Sequence, residues 1–266
     1  MTGVQTCALP IYSLAIMRWD QGQFEDALAL RQALVESIKR RTGAEPGLII
    51  EAELGLLSAH AALGRVQSAA AQPSLRATLE RITAKLPLGS RNRTLPLAKT
   101  AEVSAAVGLL DIAKTAVKFA RASALAAGVD EPEISASVDQ ADASVAAAGG
   151  DFPRGVTLLG ARAQAIAMFG EGDTIRHAAL WLQRAIFEVE FDRNAATLSL
   201  AQSRATVERA GGSPPQFKAL FTYVTARISG NAHAVRAAQA AVDRAYLRGE
   251  MRGNNATWRA PNVLSL

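Results

Sequence analysis

The sequence predicts an all-α protein, a solenoid of about six antiparallel helical hairpins. Alanine, the residue with the highest helix propensity, fills 55 of the 266 positions, and aromatic residues make up only 5%. A short motif recurs six times at intervals of 40 to 44 residues, and apolar residues follow helical spacing on both sides of it. The repeating unit is therefore two helices joined by a turn, which predicts about eleven helices in all.

The motif has glycine at its first position in most copies, often an apolar residue third and a small residue sixth. Glycine permits the left-handed conformation that ends the first helix of a hairpin, and a small residue lets two helices approach closely. We expect the small residues to be Ala27, Ala69, Ala113, Gly155 and Ala195, and we expect Ala71 to be less constrained. The copies are GQFEDA (22–27), GRVQSA (64–69), GLLDIA (108–113), GDFPRG (150–155), EFDRNA (190–195) and GNAHAV (230–235).

Longer loops are expected between the hairpins, where glycine ends one helix and proline or aspartate begins the next. Trp19 and Trp181 lie within the predicted first helices of hairpins and are expected in the core. The predicted loops span 42–46, 86–96, 128–132, 170–173 and 211–215.

The first eleven residues, MTGVQTCALPI, match the translation of a common sequencing adapter. We therefore expect residues 1–11 to be non-native, the repeat domain to span 12–248, and a tail to span 249–266. The single cysteine, Cys7, lies in the first segment, so no disulfide is predicted. Trp258, in the tail, is expected either to dock on the last hairpin or to stay free of it.

Few residues suggest catalysis or metal binding. His60, His177 and His233 are far apart, and none has a second metal ligand at helical spacing. The chain contains no phosphate-binding glycine loop and no nucleophile motif. The sequence therefore predicts that the protein is not an enzyme and has no cofactor and no metal.

The charge balance points to a protein partner more than to nucleic acid or membrane. Residues 201–266 carry nine basic and three acidic residues, but no aromatic residues alternate with the arginines to stack on bases. No uncharged apolar stretch reaches the 18 residues that a membrane span needs. We expect a cytoplasmic protein with a protein or peptide partner, and leave its oligomeric state open.

A Gly-x-aromatic-x-x-Ala corner, as at Phe24, resembles the tetratricopeptide repeat in its longer form of about 42 residues. The resemblance covers about 12–248 and implies a right-handed superhelix whose first helices line a concave peptide-binding groove. The motif is degenerate, because Glu190 replaces the corner glycine and Leu34 stands where the family has alanine. An unrelated α-solenoid or a compact bundle remains an alternative.

The resemblance also implies which residues face the groove. Counting back from each corner carries the family's groove positions onto Glu51, Ser58, Glu102, Ser137, Gln140, Ser144, His177, Arg184 and Arg227. The expected function is a protein interaction scaffold, the C-terminal part of a larger bacterial signalling or regulatory protein. The alternatives are a nucleic-acid-binding solenoid and an all-helical enzyme.

Overall fold

The all-α prediction is confirmed. A computed structural model describes residues 5–127, 132–168, 170 and 172–247, and these ranges hold twelve α-helices and no strand. One helix more is present than the sequence predicts. The helices are α1 (Gln5–Asp20), α2 (Phe24–Lys39), α3 (Pro46–Ala62), α4 (Ser68–Lys85), α5 (Arg91–Ala106), α6 (Leu110–Ala126), α7 (Pro132–Ala148), α8 (Phe152–Met168), α9 (Ile175–Glu188), α10 (Arg193–Arg209), α11 (Pro215–Ser229) and α12 (Ala232–Ala245).

The helices pack mainly with their near neighbours along the chain, as in a solenoid. Within hairpins, α1 packs on α2, α5 on α6, α7 on α8, α9 on α10 and α11 on α12. Between hairpins, α2 packs on α3, α3 on α5, α5 on α7, and α8 on α9. The odd-numbered helices α3, α5 and α7 therefore form a continuous row on one face.

The predicted glycine corners are confirmed at five of the six positions. Gly22, Gly64, Gly108, Gly150 and Gly230 all have positive φ. At Gly108, the Leu109 N–H donates to the Ser104 carbonyl at 2.8 Å, which satisfies an acceptor that the helix end leaves free. The same kind of hydrogen bond, from an N–H to the carbonyl five residues earlier, occurs at the first four corners.

The corner at Glu190 works without glycine. Here the Asp192 N–H donates to the Glu188 carbonyl at 2.7 Å, so the chain ends α9 with a tight right-handed turn. The Asp192 side chain then accepts hydrogen bonds from the N–H groups of Asn194 and Ala195, each at 3.0 Å. A side-chain N-cap thus begins α10 directly.

The predicted small corner residues are wrong at two positions. Ala69 is exposed and Ala71 is buried, because the turn before α4 is longer and this helix begins only at Ser68. At the next irregular corner Ala196 is buried, and Ala195 is only partly so. The position that stays small is the fourth residue after the N-cap, whose N–H bonds the N-cap carbonyl: Ala27, Ala71, Ala113, Gly155 and Ala196.

The prediction of a loop over 86–96 is also wrong in length. Helix α5 begins at Arg91, and Pro96 lies inside it. Proline lacks the N–H of an interior helical residue, so the sequence favours a helix start nearby. The helix nonetheless continues past Pro96, whose own carbonyl accepts a hydrogen bond from Thr100 Oγ1 at 2.7 Å.

The first and last hairpins meet at a contact that we call the seam. Trp19 packs edge-on against Phe24, with ring centroids 4.8 Å apart, and Phe24 stacks on Tyr246 at 5.7 Å. A Cβ on Gly22 would lie 3.6 Å from Pro215. Phe24 and Gly22 belong to the corner end of the first hairpin, whereas Pro215 and Tyr246 lie at the opposite end of the last one. The two hairpins therefore meet end to end, with the corner end of the first against the opposite end of the last.

The described residues include 5–11 of the first predicted segment and none of the predicted tail. Residues 5–11 continue α1, where Pro10 is exposed and the described buried side chains are Ala15 and Trp19. The non-native origin of residues 1–11 stays a prediction. Residues 249–266, including Trp258, lie outside the described residues.

Replacing Ala71 by leucine should lower the free energy of unfolding by about 1 to 3 kcal/mol, because added methylene groups must enter a packed core. The same substitution at exposed Ala69 is the matched control and should stay within about 0.5 kcal/mol. Urea denaturation measures both values. Equal costs would contradict the shifted corner.

The seam predicts an energetic coupling between Phe24 and Tyr246. A double-mutant cycle with leucine at both positions should give about 0.5 to 1.5 kcal/mol of coupling beyond the lost area, as for other aromatic pairs. The control cycle combines Phe24→Leu with Phe152→Leu, which packs on Phe187 instead, and should be additive. A coupling near zero for the first pair would show that the seam is open in solution.

Candidate functional site

A cleft lies where four odd-numbered helices face one another, and we call it the inner cleft. Its volume is about 180 Å³. Helix α9 does not pack on α3, yet both helices line this cleft, so the row of odd-numbered helices is concave. The lining residues are Glu51, Leu54 and Gly55 of α3, Leu95, Pro96, Ala98, Lys99 and Glu102 of α5, Ser137 and Gln140 of α7, and Arg176 of α9.

A buried carboxylate is held in place inside the inner cleft. Glu102 is only 5% exposed. Lys99 Nζ lies 3.2 Å from Glu102 Oε2, and Gln140 Nε2 donates to Glu102 Oε1 at 3.0 Å. Both carboxylate oxygens are therefore bonded, and helices α5 and α7 are joined through them. This arrangement compensates the buried charge and fixes the side chain before any ligand arrives.

Two further charges in the inner cleft lack ion pairs among the described residues. Glu51 stands at the mouth of the cleft and is exposed on one side. Burial of its other side raises the pKa of Glu51, and the nearby Arg91 cation opposes this only in part. Arg176, which also lines the cleft, is exposed. The cleft thus contains one anion and one cation that lack an ion pair among the described residues.

The structure brings together four of the nine predicted groove residues. Glu51, Glu102, Ser137 and Gln140 all line the inner cleft. The other five do not line it, and three of these are buried inside the protein: Ser58, Ser144 and His177. The groove assignment of these three stays a prediction, and their burial leaves little side-chain surface for a partner to contact.

His177 has a structural role in the described fold. The Trp181 indole N–H donates to His177 Nε2 at 3.0 Å, so Nε2 carries no proton. The proton therefore sits on Nδ1, which donates to the Gly172 carbonyl. Both ring nitrogens are satisfied, and the ring joins the loop before α9 to the helix itself.

The two predicted groove arginines are occupied by local contacts. Arg184 Nε donates to Glu188 Oε1 at 2.6 Å, and the guanidinium lies over the Trp181 ring at 5.2 Å. Arg227 donates to the Tyr223 hydroxyl at 2.9 Å and to Glu190 Oε2 at 2.8 Å. Arg227 thereby braces the corner that lacks a glycine.

Sequence reasoning missed several residues of the inner cleft. The sequence predicted a loop as far as Pro96, so it did not assign Leu95, Pro96 and Ala98 to the wall of a cleft. Lys99 carried a usable signal, since it precedes Glu102 by three residues and such pairs meet on one helix face. Arg176 had none, because only the curvature of the stack brings α9 to the same cleft as α3.

Three of the basic residues near the C-terminus are engaged in contacts within the protein. Arg209 Nε lies 2.5 Å from Asp173 Oδ1, and Arg227 pairs with Glu190. Arg204 donates to Thr225 Oγ1 at 3.1 Å and lies over a phenylalanine ring. Three of the basic residues counted in this region lie outside the described part of the chain: Arg248, Arg252 and Arg259.

The described ranges contain neither a metal-ligand cluster nor a helix that could span a membrane. No three of the histidine, cysteine, aspartate and glutamate side chains in those ranges are placed to hold a metal ion. Within the same ranges, no helix is both long and apolar enough to span a bilayer.

Two carboxylates on α3 should respond to pH in opposite ways. Replacing Glu51 by glutamine should stabilise the protein at pH 7, because burial raises its pKa and makes the ionised form costly in the folded state. This advantage should vanish as the pH falls below about 4, where the carboxyl is protonated in both folded and unfolded chains. Thermal unfolding of variant and wild type at each pH measures the difference.

Glu53→Gln on the same helix is the matched control. Burial tends to raise the pKa of Glu53, but Lys39, at 2.7 Å, and Arg81 outweigh it and lower the pKa. Ionised Glu53 therefore stabilises the folded protein at pH 7, and this stabilisation is lost as the pH falls through the lowered pKa of Glu53. The substitution should destabilise at pH 7. The same sign for both variants would contradict the described environments.

No family model and no curated protein matches the chain. Among solved structures, the crystal structure of BtubC (BKLC) from P. vanneervenii is similar, with a TM-score of 0.57 and 18% identity. The similarity covers 89% of this chain and 95% of that one. At this identity the likeness shows the fold alone, which is a helical repeat-like arrangement along nearly the whole length.

Proposed function

We propose that the protein is an interaction scaffold that binds a peptide, or an extended segment of a partner protein, in the inner cleft. The observation that carries the proposal is the cleft itself, which four odd-numbered helices line with both apolar and charged side chains. Stacks of helical hairpins commonly use such concave surfaces for binding. The function rests on shape and surface chemistry, without a catalytic step.

The size of the inner cleft favours a peptide over a small-molecule ligand. Pockets for small molecules usually measure about 300 to 1,000 Å³. The inner cleft is smaller, at about 180 Å³. It fits one anchoring side chain, and the rest of an extended segment would lie along the row of odd-numbered helices.

We also propose that the hairpins are degenerate tetratricopeptide-like repeats in a right-handed superhelix. The 40 to 44 residue spacing and the glycine corners support this assignment. In the same proposal, the chain is a cytoplasmic part of a larger bacterial signalling or regulatory protein. The partner would then be recruited to that protein through the inner cleft.

Selection of random peptides on the immobilised chain tests the proposed function. Peptides that bind should lose at least tenfold in affinity when Ser137→Trp fills the inner cleft, because a bulky ring takes the place of the anchoring side chain. The matched control is Ser74→Trp, the same substitution at an exposed position of α4. Affinities are measured by fluorescence polarisation, with melting temperatures to show that both variants are folded.

Three results would contradict the proposal. Selected peptides that bind Ser137→Trp as tightly as wild type, or that lose affinity only for Ser74→Trp, would place binding elsewhere. Selection of no peptide at all would also count against it. If the protein instead binds nucleic acid, its affinity for a duplex or a single strand should fall steeply as the salt concentration rises.

A further inference from the structure

The charged side chains that line the inner cleft differ in how deeply they are buried. Glu102 and Lys99 form a pair, so their charges compensate each other. Glu51 and Arg176 remain, and both are without an ion pair among the described residues. Arg176 is exposed, so water and salt screen its charge. Glu51 is also partly exposed, but burial of the rest of its side chain raises its pKa, so a cation placed beside it in the cleft would be screened less.

The deeper carboxylate can also accept more hydrogen bonds. A carboxylate offers about four lone-pair sites. Lys99 and Gln140 engage one oxygen each of Glu102, so sites remain on both oxygens. A guanidinium or ammonium group entering the cleft would therefore meet Glu51 at the mouth and Glu102 inside. An incoming carboxylate would find only Arg176 without an ion pair among the described residues, because Lys99 is already paired with Glu102.

The apolar part of the wall suits the stem of a long basic side chain. Leu54, Leu95, Pro96 and Ala98 line the same cleft as the carboxylates. Lysine and arginine bury their methylene chains along apolar surface while the charged head stays with polar partners. The cleft volume of about 180 Å³ limits the occupant to a single side chain.

Resting on the proposed function, we propose that the inner cleft is an anchor pocket for one arginine or lysine side chain of the partner. The methylene stem packs on Leu95 and Pro96, and the cation faces Glu51 and Glu102. Arginine is favoured over lysine, because its planar fork can bond two carboxylates at once. Partner segments are thereby selected for a basic residue, and segments with an acidic residue at that place are rejected.

Titration of the isotope-labelled full chain, followed by NMR, tests the anchor pocket directly. The probe is Nα-acetylarginine N-methylamide, compared with the uncharged norleucine and the acidic glutamate analogues. The arginine probe should shift the amide signals of Glu51, Glu102 and Ser137 in a saturable way, and the other two should not. Glu51→Gln should weaken binding at least fivefold. Glu80→Gln, on an exposed site of α4, is the matched control and should leave binding unchanged.

Peptides selected on the chain provide a second measurement. In peptides that lose binding to Ser137→Trp, replacing one arginine or lysine by norleucine should weaken binding at least tenfold. Peptides that depend on the inner cleft but tolerate loss of every basic residue would overturn the anchor pocket and leave the proposed function standing. Shifts of the cleft amides by the glutamate probe, or binding of the arginine probe that survives Glu51→Gln, would also overturn it. Peptides indifferent to Ser137→Trp would overturn both proposals.

Discussion

The close approach of two helices at each corner is the constraint on which the rest of the structure depends. The fourth residue after the N-cap is small in five of the six even-numbered helices. At Gly155 a Cβ would come within 3.1 Å of a Phe187 ring carbon and of the Ala143 carbonyl oxygen. Helices α3, α5 and α7 pack in sequence along one face, whereas α9 packs on α8. These four odd-numbered helices together line the inner cleft.

Curvature of the stack then decides which residues of that face meet. The first hairpin meets the last at the seam, where Phe24 stacks on Tyr246. Curvature also brings Glu51 of α3 and Arg176 of α9 to one cleft, although their helices do not pack together. Closure at the seam and the narrowness of the cleft are therefore two results of the same geometry.

Charged groups that are paired within the fold have a different role from charged groups that are not. Glu102 ties α5 to α7 through Lys99 and Gln140, and Arg227 braces the corner at Glu190. These bonds hold Glu102 and Arg227 in contacts between elements of the protein itself. Glu51 makes no ion pair among the described residues and stands where a partner can reach it. The proposed site therefore combines Glu51, which the fold leaves without an ion pair, with Glu102, whose position the fold fixes.

The sequence by itself determined the helical class, the hairpin period and five glycine corners, since local conformational preference sets all three. The resemblance to the tetratricopeptide repeat implied groove positions at Glu51, Glu102, Ser137 and Gln140, and these four residues line the inner cleft. The sequence pattern failed where a turn changed length, as at Ala69. Only the tertiary structure decided that Ser58, Ser144 and His177 are buried, and that Arg176 shares a cleft with α3. Those outcomes depend on curvature summed over many helices, which no local pattern encodes.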